Sequence, residues 1–97
     1  MTLADQSSGI TVRIGDREFA ISDHARQRML ERGVTLEDVE KTLSKVEAFD
    51  YFHEGRWKSG YYDQDSQIFV GVVEGLITTV IPGASPLYIA NLREVSG

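Results

Sequence analysis

The sequence predicts an α+β fold: an N-terminal strand hairpin, two α-helices, and then a four-stranded antiparallel β-sheet packed on the helices. Three observations predict it. Apolar residues alternate with polar ones at Ile10, Val12 and Ile14 and again at Phe19 and Ile21, which is the period of a strand. Past Ser22 the apolar spacing becomes helical, with capping residues at the joints. From Val46 the strand period returns in runs joined by very short connections, and such connections favour an antiparallel meander.

The elements follow in order. Residues 1–9 are small and polar and are expected to be a disordered tail, leaving 10–97 as a single domain. Gly15-Asp16 is the turn of the first hairpin. Ser22 is the natural N-cap of the first helix and Gly33 its stop, because glycine takes the left-handed conformation at little cost. Ala25, Met29 and Leu30 are its expected packing residues. Thr35 caps the second helix with Asp38 three residues on, and Val34 and Val39 stand where a hydrophobic staple forms. Leu36, Val39 and Leu43 make its packing stripe. Val46 to Phe52, Arg56 to Tyr62, Gln67 to Val73 and Leu76 to Ile81 read as the strands of the sheet. Pro82-Gly83 ends the last. Residues 83–97 carry Pro86, Leu87, Tyr88, Ile89 and Leu92, too apolar for a free tail, and are expected to dock on the domain or on a second copy.

Composition narrows the function classes. The chain has no cysteine, which removes disulfides, thiolate metal sites and cysteine nucleophiles and fits a reducing, cytoplasmic setting. No apolar run is long enough to span a bilayer, and the N-terminus lacks the pattern of a secretory signal, so no membrane association is expected. The formal charge of −5 argues against non-specific nucleic-acid binding, which depends on neutralising phosphates. A local basic site remains compatible with it.

The first helix concentrates the chemistry. At about 100° per residue, His24, Arg28 and Arg32 fall on adjoining positions of one side. A neutral imidazole near a helix N-terminus can act as a base or as an acceptor. Two guanidiniums on one stripe can clamp a phosphate. The same residues also read as a surface histidine and two solvated arginines, with Glu31 as an ion-pair partner. Arg26 points toward the apolar arc and reads as structural. Arg56, Trp57 and Lys58 form a second basic-aromatic group that would suit RNA, with Arg56 and Lys58 on one strand face and Trp57 directed to the core. His53 falls in a turn. Only two histidines are present and the carboxylates lack ligand spacing, so neither a metal nor another cofactor is expected.

The run His24-Ala25-x-x-Arg28-Met29-x-x-Arg32-Gly33-Val34, followed by Leu36-Glu37-Asp38-Val39, resembles a bacterial family catalogued as domain of unknown function 4258. The resemblance covers residues 19–82 and includes a closing Thr-Val segment, here Thr79-Val80. That family is similar in organisation to the RelE-like mRNA interferase toxins. The resemblance therefore implies metal-independent RNA cleavage, in which a 2′-hydroxyl attacks the neighbouring phosphate with help from a base, an acid and cations. Carried over by position, His24 would be the base or acid, Arg28 and Arg32 the phosphate clamp, and Thr79 an assistant from the sheet. The acidic balance departs from the usual basic toxin. A toxin-type endoribonuclease further implies a neutralising, antitoxin-like partner protein. The alternative is a non-catalytic protein–protein interaction domain of the same fold, with the arginine stripe or residues 83–97 as its contact surface, the latter including a homodimer.

Overall fold

The structure, a computed structural model, describes residues 7–96. β1 (Ser7–Ile14) and β2 (Arg17–Ser22) form the first hairpin, and α1 (Asp23–Arg32) and α2 (Leu36–Lys45) follow. β3 (Phe49–His53), β4 (Arg56–Asp63), β5 (Ile68–Val73) and β6 (Leu76–Ile81) make the meander, and α3 (Pro86–Ser96) closes the chain. Residues 1–6 of the expected tail lie outside the described residues, whereas Ser7, Ser8 and Gly9 already belong to β1.

A separate four-stranded antiparallel sheet does not form. The described residues instead build one six-stranded mixed sheet in the order β1-β2-β6-β5-β4-β3. β2 joins β6 in parallel, through Ala20–Leu76 and Ile21–Ile77. The Ala20 amide also donates to the Gly75 carbonyl at 2.9 Å. The cause is burial. The hairpin has its own apolar face, Val12, Phe19 and Ile21, and only alongside β6 does that face continue the one under the helices.

The helix ends form as their residues dictate. Ser22 accepts from the Ala25 amide at 3.0 Å, and Gly33 takes φ 70° to end α1. Thr35 and Asp38 complete a reciprocal capping box on α2. Val46 caps the C-terminus of α2 in an extended conformation, so β3 starts at Phe49 and not at Val46.

The sheet is covered on both faces. On one, Ala25 and Met29 of α1 and Val39 and Leu43 of α2 pack on Val12, Ile21, Val70, Ile77 and Val80. Leu30, expected to join them, is 66% exposed. On the other, Ala84 and Ile89 are buried with Tyr51 and Phe69, and Phe49 and Leu92 pack against them. The segment expected to dock is therefore a third helix. Ser85 starts it by accepting from the Tyr88 amide, and Pro86 sits at its first position, where no amide hydrogen is needed. Two glycines allow the aromatic rings of this face to lie on the strands. A Cβ at Gly60 would come 2.8 Å from the Phe49 ring and 2.9 Å from that of Phe69, and one at Gly71 would come 2.5 Å from the Tyr51 hydroxyl.

Candidate functional site

α1 leaves the sheet at Ser22 and packs mainly against β6. β2 pairs with β6 at two positions, so among the described residues Thr78 to Ile81 have no strand on that side. The helix occupies the space. Its buried residues are Ala25 and Met29, and this packing direction puts Arg32 at the border of the core. Arg32 is exposed overall, yet its Nη1 donates to the Val80 carbonyl at 3.3 Å. One turn earlier, exposed Arg28 meets Glu31 at 3.7 Å. Both side chains of that pair are nearly half exposed, so the contact contributes about 0.5 kcal/mol or less. His24 stands exposed in the first turn. The row of one imidazole and two guanidiniums thus forms an open flank of α1. Arg26, read as structural, is half-buried.

Thr79 does not join that row. The β5–β6 register shifts between Gly71 and Val72, where Gly71 opposes Thr79 and Val72 opposes Ile77. Thr78 is the extra residue of a bulge. The Thr79 side chain then lies beside Gly71, with Tyr51 and Phe69, on the face that carries α3. Its hydroxyl is separated from α1 by the sheet. Thr78 Oγ1 is buried without a hydrogen-bond partner among the described residues.

The second basic-aromatic group lies at the turn end of the β3–β4 hairpin. Arg56 and Lys58 share one face and Trp57 takes the other, as strand alternation requires. Trp57, expected in the core, is instead 59% exposed. Its ring meets that of Phe52 edge-on, with centroids 5.4 Å apart. The reason is the reach of α2, whose C-terminus covers the far end of β4, near Asp63, and leaves this end bare. Lys58 folds back to Glu54 at 3.5 Å, and Glu54 also contacts His53 Nδ1 at 3.1 Å. Arg56 is exposed, and no ion pair with it forms among the described residues. Arg56, Trp57, Lys58 and Glu74 line a shared notch of 280 Å³ where β5 turns away.

Sequence reasoning missed a third group. Asp63 is buried and accepts from Lys45 Nζ at 3.2 Å, the Asp65 amide at 3.0 Å and Ser66 Oγ at 3.1 Å. Burial by itself would push its carboxyl up. The Asp65 amide, the Lys45 ammonium and the Ser66 hydroxyl outweigh burial and hold it below the usual range. Lys45 is raised in turn, first by its bond to Asp65 and then by Asp63. The signal was legible as Asp63-Gln64-Asp65-Ser66, a turn whose first carboxylate can bond its own backbone, but its cation lies 18 positions earlier. The clasp borders a 360 Å³ cleft that also includes Tyr62, Ile89 and Arg93. With its acceptors filled, Asp63 reads as structure and not as a ligand. Tyr51 is pushed up to about 12, chiefly by burial and then by Tyr88 and Glu54, so its hydroxyl keeps its proton near neutral pH.

Among the described residues, no group of three or more His, Asp or Glu is placed to hold a metal ion. Among the same residues, no helix is long and apolar enough to cross a membrane.

No curated protein and no solved structure matches the chain. A family model does, over residues 21–74, just over half of its length. The match runs from the end of β2 through both helices and the hairpin, and so contains His24, Arg28, Arg32, Arg56 and Lys58; it stops short of Thr79. With the α1 motif inside the matched region and more than half of the residues covered, the chain belongs to the family described as Domain of unknown function (DUF4258).

Proposed function

We propose that this chain engages RNA phosphodiesters through α1 and cuts them without a metal, with an activity like that of the RelE-like, toxin-type endoribonucleases. What supports the reading is the alignment: one imidazole and two guanidiniums, those of His24, Arg28 and Arg32, stand along one side of one helix, where a phosphate backbone can reach them. Each has chemistry to offer there. Arg28 would exchange a weak, solvated contact with Glu31 for a phosphate. Arg32 spends one donor on Val80 and keeps the rest of its guanidinium donors for phosphate oxygens. His24 would either take the proton of the attacking 2′-hydroxyl or give one to the leaving 5′-oxygen as its bond to phosphorus breaks.

The test is cleavage of single-stranded RNA in the presence of a chelator. The reading expects fragments ending in 2′,3′-cyclic phosphate, no cutting at 2′-deoxy positions, and loss of cutting in His24→Ala with folding intact. RNA left whole by the native chain refutes it. A toxin of this kind would also be silenced by an antitoxin-like protein bound over α1.

One observation favours the second reading, a non-catalytic interaction domain. Thr79 lies on the α3 face, so the row does not receive the Thr79 hydroxyl that the cleavage reading called for. In that case the contact surface would be the arginine flank, or Leu87 and Tyr88, which α3 leaves 71% and 43% exposed and through which a homodimer could form. His24→Ala would then change nothing in any RNA assay.

A further inference from the structure

We infer that the notch at the end of β4 and β5 is a stacking site for an unpaired base of single-stranded RNA, with Trp57 as the platform and Arg56 as the phosphate contact. This does not rest on the α1 reading, since it requires no cutting and involves none of the α1 residues.

Alternation along β4 separates the indole from the two cations by the thickness of the sheet. All three nevertheless line one notch, which lies where β5 ends at Val73. The Phe52 ring meets the indole at 66°, an edge contact that steadies it and cannot cover both of its sides. Trp57 as a whole is more than half exposed. A single exposed aromatic is ordinary on a protein surface; what marks this one is that exposed Arg56, with no ion pair among the described residues, lines the same notch. A base offers a flat π-face of suitable size, and its backbone brings negative charge to Arg56. A purely apolar protein segment would leave that cation unused. Lys58, already tied to Glu54, would give a secondary contribution. Glu74 on the rim sets a limit: a double-stranded backbone, with twice the phosphate charge and its bases already stacked, is poorly suited.

Trp57 is the single tryptophan of the chain, so its emission reports the site directly. The titration uses the full chain carrying His24→Ala, so that the RNA stays whole whatever α1 does. A single-stranded oligonucleotide of about eight residues should quench Trp57 saturably, and a blunt duplex of the same length should not. Arg56→Glu, which keeps the fluorophore, should raise the half-saturation concentration about tenfold. Trp57→Ser, followed by anisotropy of labelled RNA, should weaken binding about tenfold, in the range known for loss of one stacked base. Absence of saturable quenching, an equal response to duplex, or unchanged affinity in Trp57→Ser overturns the proposal. An indole that answers only to a protein ligand does so too.

Discussion

The two ends of β4 are built from the same strand and serve opposite ends. At Asp63 every polar atom has a partner and the carboxylate is buried beneath the C-terminus of α2. At Trp57 a large ring stands in solvent, with an exposed Arg56 next to it. Between them Tyr61 and Gly60 lie buried against the two opposite layers. What separates the ends is cover. α2 and the turn after β4 close one, whereas at the other Trp57 stays 59% exposed, with the Phe52 ring edge-on against it. A residue's own hydrophobicity is thus a poor guide to its role here, and its position relative to α2 is a better one.

The contrast can be broken most forcefully at the middle. Tyr61→Ala removes a ring that packs edge-on against Phe19 and accepts a hydrogen bond from Arg17. It should cost about 3–5 kcal/mol, read as a fall in the denaturation midpoint at unchanged slope. At the covered end, Asp63→Asn should cost about 1–3 kcal/mol at neutral pH. The effect is tied to pH with a definite sign. The folded chain holds this carboxyl below its unfolded value, so the stabilisation is present above about pH 4 and is lost as pH falls through the lower folded value. Stability curves of the native chain and the variant should therefore converge in acid, and a difference that grows in acid would contradict the clasp. At the open end, Trp57→Ser should change stability by no more than about 0.5 kcal/mol. A larger loss in chemical denaturation would mean that the ring is packed after all.

Much of this architecture could be read before any coordinates. Ser22, Gly33, Thr35 and Asp38 announce the helix ends because caps act locally. The meander is legible for the same reason, its turns being only a few residues long. The parallel join of β2 to β6 is not, because it links residues more than fifty positions apart and leaves no local trace. α3 could have been read: Ser85-Pro86 is a start signal, and Ile89 and Leu92 follow at helical spacing. The site divides along similar lines. Helical periodicity suffices to align His24, Arg28 and Arg32. The side taken by Thr79 depends on a bulge in β6, and the exposure of Leu30 and Trp57 depends on where neighbouring elements stop. Periodicity ranks faces by polarity and contains no information on how far a covering helix extends.

Arg32 has a consequence that reaches beyond phosphate chemistry. Its bond to Val80 pins α1 along the portion of β6 that β2 does not reach. The helix is in effect a plug over unfinished sheet. Buried Ala25 and Met29 hold the plug in place, and it covers backbone groups that would otherwise be open to a foreign strand. Helix and strand are thus fastened to each other at the stretch where the sheet has run out of strands to pair with.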